Sequence, residues 1–246
     1  MVHAHVDANG HTVPHPHAAA GPDDPGPVMD AGAFATLYAL DDTRVLRRYR
    51  SGADAGAEAQ LLTHLAAHGV PVPWAVHRGG PDLEMERLHG PTLLQGLASG
   101  EVPIVDAARL LADLQAQLHA VPVPEDLLPG ARAGHVIVHL DLHPGTVVLS
   151  DEHGPSVVAW GSATLGSPHV DVATTALLIA EVACDDGEEH ARAARALLAA
   201  FLHASAALPD AALDSAAAHR IVEPWLVPGE RELVPRAAGL VRAMVE

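Results

Sequence analysis

The chain predicts an α+β fold of two lobes, a small antiparallel sheet carrying one helix followed by a larger helical lobe. Three observations predict it. Residues 28–88 read as strand, strand, helix, strand, strand. His89-Gly90-Pro91-Thr92 then interrupts the pattern as a hinge would, and beyond that break the apolar periodicity is mostly helical. At 246 residues the chain is long enough for one large core or for two lobes sharing a cleft.

Residues 1–27 stand apart. His3, His5, His11, His15 and His17 alternate with Pro, Gly, Ala and Asp without a hydrophobic period, which reads as a disordered tail. Clustered histidines bind transition metals weakly, but this spacing fits no fixed site, so an incidental polar tail is the favoured reading. The small lobe is expected over 28–90 and the large lobe over 91–246. Phe34 to Leu40 and Arg44 to Tyr49 are expected strands around the turn Asp41-Asp42-Thr43. Ala55 to His68 places Leu61, Leu62, Leu65 and Ala66 on one helical face, with Gly69 as the stop. Val70-Pro71-Val72-Pro73 is extended, because proline holds its predecessor in the β region. His77 to Leu88 reads as a hairpin turning at Gly79-Gly80-Pro81-Asp82. In the large lobe, Val105 to Ala120 carries the stripe Leu110, Leu111, Leu114 and Leu118. Further helices are expected at Val170 to Cys184, Glu188 to Ala206, Asp210 to Arg220 and in a last segment ending near Glu246.

The formal net charge is −17 with histidine neutral, and the basic residues cluster only at Arg44, Arg47, Arg48 and Arg50. A nucleic-acid partner is therefore not expected. The acidic excess suits solubility first and a cationic ligand second. Cys184 is the sole cysteine, which excludes an intrachain disulfide; its apolar surroundings read as core rather than nucleophile. No run has the length of a membrane span or the form of a signal peptide, so a cytoplasmic protein with no membrane partner is the expectation. The richness in Ala, Gly, Pro and Arg fits a GC-rich bacterial genome.

Chemistry concentrates in His139-Leu140-Asp141-Leu142-His143-Pro144-Gly145-Thr146, followed by Val147-Val148-Leu149 and then Val157-Val158-Ala159-Trp160. This stretch resembles the catalytic loop and metal-binding strand of the aminoglycoside phosphotransferase and choline-kinase-like family, whose fold is protein-kinase-like. The family pattern is His-x-Asp-x-x-Pro-x-Asn, a short hairpin, an apolar pair, Asp and Trp. Other matches fall in order along residues 28–246. They are Val45-Leu46-Arg47 for the family's apolar-Leu-Lys, Glu58 for its glutamate partner, Gly69 to Pro73, Leu83 to Leu88 running into the hinge, Leu118-His119, and Asp171 as the aspartate bracing the loop.

The resemblance implies roles. Asp141 would orient an acceptor hydroxyl and take up its proton, or else merely brace the loop. His139 would brace the loop, and His143 is the other candidate acid–base group. Arg47 and Glu58 would stand at the nucleotide phosphates, with Arg48 the runner-up for Arg47, and Glu86 and Leu88 would meet the nucleotide at the hinge. Two positions depart from the family. Its Asn and second Asp hold the magnesium that bridges the nucleotide phosphates, and here they are Thr146 and Ala159. Magnesium wants hard oxygen ligands in an octahedral array. Alanine offers none and threonine only a short hydroxyl. Asp151 and Glu152 fall at the hairpin tip and Asp171 behind the loop, so none of the three substitutes.

No metal site and no tightly bound cofactor are therefore expected; ATP or GTP with magnesium belongs to the active alternative. Three functions follow in order of preference. The first is a pseudoenzyme or repurposed member binding a small molecule or peptide between the lobes. The second is an active ATP- or GTP-dependent phosphotransferase acting on a hydroxyl of a small cationic molecule. The third is metal-free acid–base chemistry, an elimination or cyclisation, in the same cleft.

Overall fold

In the computed structural model, residues 25–32, 34–123, 132–185, 188–223, 226 and 228–245 are described. The proposed tail thus lies almost wholly outside the described residues. At its expected end, the Pro27 carbonyl accepts the Ala39 N–H at 2.9 Å.

Five antiparallel strands form the small lobe in the order β1-β2-β3-β5-β4. They are β1 (Val28–Ala31), β2 (Ala35–Ala39), β3 (Arg44–Tyr49), β4 (Ala75–Gly79) and β5 (Asp82–Glu86). Val45, Leu46, Leu83 and Met85 bury the central pair β3 and β5. The Asp41 carboxylate closes the β2–β3 turn, accepting the Thr43 N–H at 2.8 Å and the Arg44 Nε–H at 2.7 Å. The helix α1 (Gly56–Ala67) packs Leu61, Leu62 and Leu65 into the core, and Gly69 ends it at φ +82°.

The connection His89–Thr92 is strapped to the hairpin of the large lobe. The Leu149 N–H donates to the Pro91 carbonyl at 2.8 Å and the Asp151 N–H to the His89 carbonyl at 3.0 Å. A Cβ at Gly90 would stand 2.1 Å from the Leu149 carbonyl oxygen, with φ at +134°, so the strap requires glycine. The short helix α2 (Leu93–Ser99) starts with a capping box in which Thr92 and Gln95 exchange side-chain and backbone hydrogen bonds.

Helices α3 (Ile104–His119), α4 (Pro168–Cys184), α5 (Glu188–Ala204), α6 (Asp210–Ile221) and α7 (Pro228–Val245) make up the rest of the large lobe. The expected stripe of α3 is buried at Leu111, Leu114 and Leu118, while Leu110 is half-buried. Helix α4 is central, packing on α5, α6 and α7. Cys184, at its end, is half-buried rather than core. Between α3 and α4 lie two small antiparallel pairs, β6 (Val136–Val138) with β9 (Thr164–Gly166), and β7 (Val147–Ser150) with β8 (Gly154–Val157). No helix among the described residues is long and apolar enough to cross a membrane.

Candidate functional site

The loop from His139 to Thr146 is fixed to its surroundings at successive backbone groups. Leu140 sits at φ +60°, a left-handed conformation that a branched residue adopts only when held. The fully buried Asp171 carboxylate holds it, accepting the Leu140 N–H at 2.7 Å through Oδ1 and meeting His119 Nε2 at 2.8 Å through Oδ2. One residue on, the Asp141 N–H donates to His139 Nδ1 at 3.2 Å. The proton of His139 therefore sits on Nε2 and goes to the Val158 carbonyl at 3.0 Å. Burial pushes the His139 pKa down, so the ring stays neutral, edge-on to Trp160. Thr175 Oγ1 donates to the Leu142 carbonyl at 2.8 Å and accepts from Gln115 Nε2 at 3.0 Å.

This scaffold presents the Asp141 side chain, half-buried, with its pKa pushed up to about 6. Burial is the main cause; the Arg220 guanidinium opposes it and the Glu223 carboxylate adds to it. A carboxyl near 6 exchanges protons near neutral pH, as an acid–base group must. His143 differs. Its Nδ1 accepts the Gly145 N–H at 3.1 Å, and burial, followed by the nearby His139 and Arg220, lowers its pKa to about 4. It is neutral at pH 7, with one nitrogen committed to the turn.

Thr146 and Ala159 are brought together, since the Val158 N–H donates to the Thr146 carbonyl at 2.9 Å. Thr146 is buried, and its hydroxyl is tied into the loop. Oγ1 accepts the His143 N–H at 3.0 Å, and its single proton faces the carbonyls of Asp141 at 3.1 Å and His143 at 3.0 Å. Ala159, at φ +66° and ψ +49°, directs only a methyl group from a left-handed backbone. Together this hydroxyl, with one lone pair left over, and a methyl offer at most one side-chain oxygen, against the several that magnesium needs.

Across the cleft, Arg47 Nη1 meets Glu58 Oε1 at 2.5 Å, both side chains largely buried. The Tyr49 hydroxyl donates to the other oxygen of Glu58, and the guanidinium lies 4.9 Å from the centre of the Tyr49 ring. Burial pushes the Tyr49 pKa up, so the phenol keeps its proton. Arg48 points to the other face and forms a bidentate pair with Asp82 at 2.6 and 2.7 Å. Arg47, and not Arg48, lines the cavity on this face. A cavity of about 360 Å³ opens beside Arg47 and Ala159, lined by Leu37, Val45, Met85, Leu88 and Val158. A second, of about 460 Å³, adjoins Tyr49, Glu58, Trp160 and Gly161, and Phe34 borders both.

Glu86 lines the first cavity, but its carboxylate turns to the hairpin tip. There Oε1 meets His153 Nε2 at 2.8 Å, and Glu152 lies 3.7 Å from the same nitrogen.

Tyr49, Arg220, Glu181 and Glu223 were not among the sequence candidates. Tyr49 had a signal, since two residues along a strand from Arg47 it must share that face. Arg220 reaches Glu181 at 3.0 and 3.1 Å and also pairs with Glu223, at the end of α6 and of the sequence segment that follows it. No local motif marks these three, because α4 and α6 meet only in the fold.

The sequence profile of the phosphotransferase enzyme family matches residues 30–134 and 125–213. A comparison with curated protein sequences finds no match. Among solved structures, a spectinomycin phosphotransferase in complex with ADP and spectinomycin superposes with a TM-score of 0.54 at 10% identity, covering 89% of this chain and 91% of the other. An aminoglycoside phosphotransferase in its gentamicin complex gives 0.55 at 12%, covering 89% and 92%. A choline/ethanolamine kinase family protein from Mesorhizobium loti gives 0.52 at 13%, covering 90% and 88%. Identities this low establish the kinase-like fold. The profile match, across most of the chain, leads to one statement of kinship: this chain belongs to the phosphotransferase enzyme family.

Proposed function

We propose that this protein is a family member that has given up magnesium-dependent phosphoryl transfer and uses the cleft between its lobes to bind a small molecule or peptide. One observation carries the reading. At the two positions where the family pattern places its metal ligands, the Thr146 hydroxyl is held by its own loop with a single lone pair to spare, and Ala159 ends in a methyl. Phosphoryl transfer asks the protein mainly for positioning and charge neutralisation, and the metal supplies the largest share of the latter. Losing that clamp removes several kcal/mol of transition-state stabilisation, and each ~1.4 kcal/mol is tenfold in rate. Asp141, His139 and His143 then keep the loop in shape around the cleft.

A second reading is favoured by a separate observation. The Arg47–Glu58 pair is formed, and Asp141 stands in a half-buried position with a raised pKa, as an active phosphotransferase would need. Turnover separates the two readings. Phosphate release and transfer from ATP and GTP with magnesium are measured for the wild type and for Thr146→Asn with Ala159→Asp, over a panel of amino-bearing alcohols. The first reading expects the wild type to stay at background and the double variant to gain activity by roughly a hundredfold or more. Robust wild-type turnover, unchanged by the double substitution, establishes the second.

A further inference from the structure

The β7–β8 hairpin has Thr146 and Ala159 beside its open end, and its tip carries a different set of donors. Among the described residues, Glu86, Glu152 and His153 form one group able to hold a metal ion through one atom each, and those atoms all lie within 4.8 Å of one another. His153 Nε2 stands 2.8 Å from Glu86 Oε1 and 3.7 Å from Glu152 Oε2. The set is drawn from both lobes. Glu86 ends β5, and His153 follows 67 residues later at the hairpin tip.

Backbone contacts fix both sides. The Glu86 N–H donates to the Trp74 carbonyl at 3.0 Å, and Glu86 Oε2 accepts the Trp74 N–H at 3.4 Å, which leaves Oε1 facing His153. At the tip, Ser150 Oγ accepts the N–H groups of Glu152 at 3.3 Å and His153 at 3.4 Å. The bond from the Asp151 N–H to the His89 carbonyl ties that tip to the hinge. The fold itself therefore brings the three donors together.

One imidazole and two carboxylates make a zinc-type donor set, whereas magnesium and calcium prefer oxygen alone. Three protein ligands leave a fourth tetrahedral position for water. Without an ion, the Glu86 carboxylate has only lone pairs to offer, so His153 Nε2 carries the proton between them. A bound dication takes the place of that proton, which leaves to solvent. His153 and Glu152 are exposed, so an ion has open access, while Glu86 is half-buried.

The geometry points to a zinc-type dication site that clasps the two lobes, built from Glu86 of the small lobe and Glu152 and His153 of the large one. The site goes beyond the loss of phosphoryl transfer and does not depend on it. Because Glu86 and Leu88 also line the apolar cavity, the ion fixes one wall of the cleft.

The test is titration of the full chain with zinc, read by calorimetry and by the thermal unfolding midpoint, for the wild type, Glu86→Gln, Glu152→Gln and His153→Gln. The histidines of residues 1–27 are common to all four proteins, so the difference between them is what is read. The wild type is expected to bind one zinc ion at least about tenfold more tightly than each variant. Saturating zinc is expected to raise its midpoint by at least about 3 °C more than it raises theirs. Magnesium at the same concentration is expected to give no such rise. An exposed pair adds little to stability, so Glu152→Gln and His153→Gln should unfold within about 2 °C of the wild type in EDTA, which separates loss of the ion from loss of the fold. Zinc responses alike in the wild type and all three variants overturn the proposal and leave a plain His–Glu contact. A zinc effect that survives Glu86→Gln overturns the clasp between the lobes.

Discussion

Ala159 holds a left-handed backbone that an L-residue with a Cβ adopts at a cost of roughly 1–2 kcal/mol. Glycine takes it freely, with a smaller loss through the entropy of the unfolded chain. Ala159→Gly should therefore stabilise the protein by about 0.5–1 kcal/mol, read from the urea midpoint at unchanged slope; a lower midpoint contradicts this backbone account. Asp141 gives a pH signature. Its folded pKa of about 6 lies above its ordinary value, so its stabilising effect is full in acid and is lost as pH rises through about 6. Asp141→Asn should thus gain stability at pH 7, by roughly 3 kcal/mol at most, and show little gain at pH 4. His143 works the other way. Its pKa is depressed to about 4, so its contribution is present above its ordinary pKa and disappears as pH falls toward 4. Removing Asp141 should therefore steepen the acid loss that His143 causes. Unfolding free energies of both proteins at pH 4, 5.5 and 7 check this, and parallel profiles would sink it.

At the scale of elements, the strap between the lobes depends on backbone contact. Gly90→Ala would force a Cβ into the Leu149 carbonyl at a positive φ, so thermal unfolding should show a loss of at least about 2 kcal/mol. A neutral result would mean that hinge and hairpin are not in contact. Long elements were legible in the sequence because their apolar period repeats: α1, α3 and α4 lie within two residues of expectation at each end. Short ones were not. Strand β1 has four residues, all exposed, and β6 and β9 have three each, too few for alternation to register. The helix α2 is seven residues held by the Thr92–Gln95 capping box, whose sequence sign is a single threonine three residues before a glutamine. Within the site, the mismatch at 146 and 159 was visible from the motif. That the Thr146 hydroxyl bonds the His143 N–H and two carbonyls was not, since a hydroxyl's partners depend on how the loop closes.

For the whole molecule, the pairing of charges decides which partners suit it. Of the four arginines of the basic run, three are matched by carboxylates, Arg44 with Asp41 and Glu84, Arg47 with Glu58, and Arg48 with Asp82. Two cavities share Phe34, and on the proposed reading the family's magnesium-holding positions there carry a loop-bound hydroxyl and a methyl. The fold of the family is kept, with Arg47 lining one cavity and Arg50 the other. The most direct test is a crystal structure grown with manganese and a non-hydrolysable ATP analogue, read by anomalous scattering. Manganese prefers the same oxygen ligands as magnesium and is visible at its absorption edge. The account predicts no ordered ion within coordination reach of Thr146 Oγ1 or beside Ala159. An anomalous peak there, with oxygen ligands at about 2.0–2.3 Å, would contradict it.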